Sequence, residues 1–270
     1  MIKFQDISMP NIDLARFLPS LIGFSSLILT AAPSYALTNG SFETDLTNGW
    51  EVGGNVTRQT SAFGVTPTNL IYQSLATTFQ FSSSAVEPPL QVGVVDGLED
   101  FLGIPLDNPS IFDDPNDPVG GAALEGSVLK QNITVQAGDV LTLDWNFVSN
   151  DDANVQFPDY AFILISTLGD LGTVTYNDLY TLSDATLPLP PSNPFAYQTG
   201  YLPFTYTFPT SGTYLLGVGG VVDINDFDGN SGVLVDNVVI TSSSSQIPEP
   251  SSILGVILLG LLGLGRKYIR

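Results

Sequence analysis

The chain has no cysteine and no histidine in its 270 residues. That excludes disulfide frameworks, thiolate nucleophiles, zinc sites of the usual kind and His-based catalytic triads. Positive charge is scarce as well, with seven Lys plus Arg against 27 Asp plus Glu. Outside residues 1–36 and 247–270 only Arg58 and Lys130 remain, facing 24 acids, a formal charge of −22. Such a surface repels phosphate backbones, which are bound through clustered Lys and Arg, so no nucleic-acid partner is expected. Two readings of the acidity stay open: attraction for cations, and plain solubility of an exported protein. Catalysis, if any, would have to rest on carboxylates, hydroxyls, Tyr or the two cations.

The two ends differ from the body. Lys3 and Arg16 precede an apolar stretch from Phe17 to Ala32, followed by Ser34, Tyr35 and Ala36. Small residues at the first and third of those last positions suit a signal peptidase cutting between Ala36 and Leu37. A buried core helix or a retained anchor is the other reading of this segment. At the far end, Pro248, Glu249 and Pro250 lead into an apolar run from Ile253 to Leu264, closed by Arg266, Lys267 and Arg270. As a helix the run is roughly 18 Å long, a marginal span of a ~30 Å hydrocarbon core. Positive charge after it stays cytoplasmic, which puts the body outside the membrane, in agreement with an export signal.

Triplet, apolar helix and basic end, in that order at the C-terminus, resemble a PEP-CTERM sorting signal over about residues 247–270. The resemblance implies recognition in the membrane by an exosortase-type transpeptidase, cutting near the triplet, and delivery of the body to the cell envelope, the cell surface or the extracellular space. Pro248, Glu249, Pro250, Arg266, Lys267 and Arg270 are then processing residues. The stretch Ser242 to Ser245 reads as a flexible spacer before them. The expected organisation is a signal peptide at 1–36, one domain at 37–241, a Ser-rich linker at 242–247 and a sorting tail at 248–270.

Within the body, period-two alternation dominates. Leu141, Leu143, Trp145 and Phe147 alternate with Thr142, Asp144 and Asn146, and Phe204, Tyr206 and Phe208 alternate with Thr205 and Thr207. Further strands are predicted at 50–59, 70–81, 124–135, 160–168, 173–181, 213–223 and 233–241. Turn residues separate them, as at Ala137-Gly138-Asp139 and Thr210-Ser211-Gly212. Many strands joined by short turns predict an all-β fold, an antiparallel β-sandwich or jelly roll. One insertion, 83–121, is crowded with Pro, Asp, Ser and Gly. In it, Asp96 followed by Glu99 predicts a short capped helix burying Leu98, Phe101 and Leu102. A second, apolar helix is predicted in the tail.

The segments NGSFETDLTNGW at 39–50 and GVLVDNVVI at 232–240 resemble the first and last strands of carbohydrate-binding-module-like jelly rolls. The resemblance covers about twenty residues and implies two facing sheets with those strands close together. In some members a structural calcium ion joins them through an early Glu and a late Asp, positions matched here by Glu43 and Asp236.

Alternation independently places Asp236 on one face with Leu234, Val238 and Ile240, where an unpaired carboxylate costs several kcal/mol. It needs a partner: a hard cation with oxygen ligands, or backbone N–H groups at a strand end. A second, more speculative metal suspect is the loop at 223–232, with Asp223, Asn225, Asp226 and Asp228. It fails as an EF-hand, because aligning Gly229 with the invariant glycine puts Ile224 first and Val235 last. An Asx-rich turn is the other reading.

Three function classes follow. The first is a non-catalytic cell-surface or extracellular-matrix protein. The second is a glycan-binding module, with an exopolysaccharide or other glycan stacking on aromatics such as Trp50, Tyr72, Tyr160, Tyr197 or Tyr201. The third is a carboxylate-based glycoside hydrolase, for which no catalytic residue can be named.

Overall fold

The computed structural model describes residues 37–81, 87–106, 112, 122–150, 159–167, 170–181, 185–224 and 230–242, all within the compact unit Ser34–Arg270. Among the described residues, thirteen strands and one short α-helix, besides a single 3-10 turn at Ser61–Phe63, run in the order β1 Glu51–Gly53, β2 Val56–Gln59, β3 Gln73–Thr77, β4 Leu90–Gln91, α1 Leu98–Leu102, β5 Ala123–Val135, β6 Val140–Ser149, β7 Tyr160–Thr167, β8 Asp170–Thr181, β9 Leu187–Pro188, β10 Tyr197–Gln198, β11 Leu202–Thr207, β12 Gly212–Ile224 and β13 Ser231–Thr241. They form two sheets, each paired antiparallel throughout. The first has the order β1-β5-β12-β7-β8, with β4 on the same strand β5. The second has the order β2-β3-β13-β6-β10-β9, with β11 also on β6. The protein is an all-β antiparallel sandwich.

The alternation read in β6 is realised: Leu141, Leu143, Trp145 and Phe147 point between the sheets, against Ile163, Ile165, Leu216, Val218, Val233 and Val235. Trp50 belongs to this core, its ring stacked on Phe42 at 5.7 Å between centroids. Two further apolar clusters lie on the outer faces. On the first sheet, Val128, Phe162, Leu164 and Val222 are covered by Leu98 and Leu102 of α1, together with Ile104 and Phe112. On the second, Leu75, Val148 and Leu234 are covered by Val65, Leu189 and Phe195. β7 and β12 are therefore buried on both faces, which is why they read as nearly continuous apolar runs.

Some boundaries differ from expectation. The strand predicted at 50–59 breaks at Gly54, where φ is +75° and a Cβ would lie 2.5 Å from the Ser127 hydroxyl. There the chain leaves the first sheet, after β1, and enters the second at β2. The segment 39–50, expected to hold the first strand, is a set of turns. Asn39 closes them: its side-chain N–H group donates to the carbonyls of Thr44 and Asp45, and its side-chain oxygen accepts from the Thr44 N–H. The last strand does lie beside this segment, the Val238 N–H donating to the Gly40 carbonyl at 2.9 Å. Helix α1 starts one residue later than a cap at Asp96 requires. Its N-cap is Gly97, and no side chain caps it. The Glu99 carboxylate is buried and accepts from the Gly93 N–H, while Asp100 accepts from the Asp96 N–H. Leu98 and Leu102 are buried as expected, and Phe101 is half-buried.

No helix among the described residues is long and apolar enough to cross a membrane. The predicted tail helix, the linker beyond Ser242 and the processing residues lie outside the described residues, as does Ala36. Leu37 packs against the core.

Candidate functional site

Glu43 and Asp236, paired by the resemblance, converge on one loop, residues 68–72. One Glu43 carboxylate oxygen accepts from the backbone N–H groups of Ile71 and Tyr72, both at 2.9 Å. Asp236 accepts from the Asn69 N–H at 2.7 Å and the Thr68 hydroxyl at 3.2 Å through one oxygen, and from its neighbour Asn237's N–H at 2.7 Å through the other. The two carboxylates thus clamp a loop in which Leu70 takes a positive φ of +59° and stands 72% exposed beside Ile71, 60% exposed. The strand predicted at 70–81 starts only at Gln73 because the N–H groups of Ile71 and Tyr72 bond to a carboxylate instead of a sheet ladder.

The surroundings of Asp236 differ from those the alternation implied. A bulge in the pairing of β13 with β6, between Asp236 and Val239, carries Asn237 in a left-handed conformation. It shifts the phase of the strand, so Val238 and Ile240 turn into the core while Asp236 stays with Leu234 on the outer face. Directly opposite lies Asp144 of β6, whose carboxylate accepts from the Asn237 side chain at 3.2 Å. Burial pushes the Asp236 carboxyl above its ordinary value, and the donors at Asn69, Asn237 and Thr68 pull against that without cancelling it. Tyr201 donates to Gln73, and its phenol is pushed far up by burial, with Asp236 and Asp144 adding to the shift. Calcium takes about six to eight oxygen ligands. What gathers at Asp236 in this structure is N–H and O–H donors, three bonds shared between its two oxygens. No group of three or more acidic residues among the described residues is placed to hold a metal.

Of the other loop suspects, Asp223 is described: it is buried at the end of β12, next to Asp159, whose carboxylate accepts from the Ile224 N–H at 3.2 Å. Asn225, Asp226 and Asp228 lie outside the described residues.

The aromatic candidates separate by burial. Trp50 and Tyr160 are core residues, the phenol of Tyr160 donating to the Phe112 carbonyl at 2.6 Å. Neither offers a stacking face. Tyr201 is half-buried and Tyr197 is exposed on β10. Tyr72 carries Arg58 over its ring, the guanidinium carbon 3.9 Å from the centroid.

Arg58 leads to a site that the sequence did not reveal. At the edge where β1 and β2 part, a groove of about 420 Å³ is lined by Asp45, Leu46, Thr47, Val52, Gly54, Val56, Thr57, Arg58 and Glu87. Asp45 is held below its ordinary value, first by the Thr47 hydroxyl and then by the Thr47 N–H. The Glu87 wall is tied back by the Asn55 side chain, which donates to the Glu87 carbonyl at 3.0 Å. Arg58 donates one bond to the Glu43 carbonyl at 3.2 Å and forms no ion pair among the described residues. The one described ion pair belongs to Lys130, whose ammonium lies 3.2 Å from Glu51 and 4.1 Å over the Phe101 ring. Spacing could not have shown this groove, because Asp45, Arg58 and Glu87 meet only through the change of sheet at Gly54.

No family model matches the chain, and no curated protein does. Among solved structures it is similar to TmCBM61 in complex with β-1,4-galactotriose, at 12% identity and a TM-score of 0.39, over 78% of this chain and 100% of that one. It is similar also to the K2 cleaved adhesin domain of Lys-gingipain, at 12% identity and a TM-score of 0.39, over 79% of this chain and 100% of that one. A third is a carbohydrate-binding module from the β-sandwich superfamily, at 14% identity and a TM-score of 0.36, over 78% of this chain and 64% of that one. Likeness this remote carries no weight for what the chain binds.

Proposed function

We propose that this protein is an exported, non-catalytic component of the cell surface or extracellular matrix, and that its jelly-roll-like sandwich binds glycans. The observation that carries the glycan reading is the groove beside Arg58. Its volume falls in the usual range for small-ligand sites, and polar side chains of both donor and acceptor type converge on low apolar walls. Delivery rests on the two ends of the sequence: the signal peptide with cleavage between Ala36 and Leu37, and the tail at 248–270 as the substrate of an exosortase-type enzyme, held in the membrane by its apolar helix until processing.

Two carboxylate settings support the non-catalytic part. Glycoside hydrolysis needs one acid kept protonated by a raised pKa beside a second carboxylate. In the groove, Asp45 is shifted the opposite way. The two facing aspartates, Asp144 and Asp236, lie on a sheet face where Asp236 is 0% exposed and held by three donors. A substrate cannot reach it.

The test is a glycan array probed with the full chain, with reaction mixtures checked for shortened oligosaccharides. Retention of glycans without cleavage products is the expected result. Cleavage products would replace the reading with an enzyme, and an array with no retained glycan would remove glycan binding from it.

A further inference from the structure

Resting on the glycan reading above, we infer that the groove beside Arg58 selects neutral sugars bearing adjacent hydroxyls, and that Arg58 is the donor that recognises them. The reason is the mixture of hydrogen-bonding types. A guanidinium offers five N–H donors and no acceptor. Arg58 uses one on the Glu43 carbonyl, its guanidinium carbon lies 3.9 Å from the Tyr72 ring centroid, and the residue lines the groove with its other donors free of any described ion pair. Asp45 and Glu87, both exposed, are acidic residues of the same groove; the Thr47 hydroxyl, whose proton goes to Asp45, keeps accepting capacity, and the Thr57 hydroxyl, which accepts from the Gln59 side chain, keeps its proton to donate.

A sugar hydroxyl is donor and acceptor at once, and two on neighbouring carbons can bridge a guanidinium and a carboxylate together. A uronate carboxylate has acceptors only. It would satisfy Arg58 but bring a third negative charge beside Asp45 and Glu87, on a body that already carries a formal −22. An amino sugar has the reverse fault, pairing with the carboxylates while its ammonium faces Arg58. The groove therefore matches the uncharged sugar and opposes both charged kinds.

The positioning is local. The Glu43 carbonyl holds one guanidinium nitrogen, and the Glu43 carboxylate holds the backbone of Tyr72, whose ring lies under the guanidinium. One residue thus orients both members of the stack. Its side chain acts here as a positioning group, not as a contact to sugar.

The experiment uses the full chain on an array of neutral, uronic and amino oligosaccharides, followed by calorimetric titration of each retained sugar at low and high NaCl. Retention of neutral sugars alone is expected, with an affinity that NaCl leaves unchanged. Arg58→Gln should lower that affinity about tenfold or more, the scale of a hydrogen bond to a charged group. Glu87→Gln, at an exposed position, should lower it with no effect on folding, which keeps the test decisive if the arginine variant folds poorly. Retention of uronic or amino sugars instead, affinity that falls steeply with salt, or neutral binding untouched by both substitutions would overturn this inference while glycan binding stands. An array with no retained sugar would overturn the underlying reading itself.

Discussion

Asp236 shows how burial and hydrogen bonding oppose each other on one carboxylate. Burial disfavours its charged form, and the Asn69, Asn237 and Thr68 donors favour it, with burial prevailing. A carboxyl whose folded pKa is raised binds its proton more readily in the native state than in the unfolded chain. Its stabilising contribution is full below the unfolded value of about 3.9 and is lost as pH rises through the raised folded value. Asp236→Asn should therefore flatten the pH dependence of stability in that window, as read by urea unfolding at a series of pH values. An unchanged slope would show that Asp236 titrates as in the unfolded chain. The same residue bears on the metal expectation. Because its partners are donors, excess calcium and excess chelator should give the full chain the same thermal midpoint, whereas a midpoint raised by calcium would show that the carboxylates rearrange around an ion.

At the scale of single elements, α1 is a lid with five residues. A helix this short has no independent stability. It holds because Leu98 and Leu102 complete the apolar cluster over Phe162 and Leu164, and because Glu99 ties it to Gly93. Leu102→Ala should destabilise the protein by about 2–5 kcal/mol, the range for removing a fully buried leucine, and should raise proteolysis within 90–106 ahead of global unfolding. A loss below about 0.5 kcal/mol would mean that the lid closes over the gap or contributes little. The loop 68–72 works in the opposite sense: its backbone is held by carboxylates so that Leu70 and Ile71 stay in solvent.

For the whole molecule, charge is the dominant long-range term. With 24 acids against two cations over 37–246, the native state repels itself more than the expanded unfolded chain does. Screening has a range of about 10 Å at 0.1 M salt, so NaCl should raise the thermal midpoint from low ionic strength upward and then level off. A midpoint that falls or stays flat would show that the acids are spaced too widely to act together. The three apolar clusters oppose this repulsion, one between the sheets and one on each outer face. The outer clusters cover part of each outer sheet face, and the candidate groove lies at the edge where β1 and β2 part.

The strand set was legible because side-chain alternation is a local property of the chain: β5, β6, β7, β11, β12 and β13 lie close to where period two put them. Composition alone likewise excluded thiol and histidine chemistry. Tertiary structure decided what alternation cannot carry across an irregularity. One bulge at Asn237 reversed the faces of Val238 and Ile240, and one left-handed glycine at position 54 divided a single predicted strand between two sheets. The same limit hid the site, since Arg58, Asp45 and Glu87 become neighbours only when the chain changes sheet. Hydrogen-bond partners are three-dimensional facts too: Asp236 could be singled out in sequence as a carboxylate in need of a partner, and Glu43 only through the resemblance, but that both bond to residues 68–72 follows from the packing of β3 and β13 side by side.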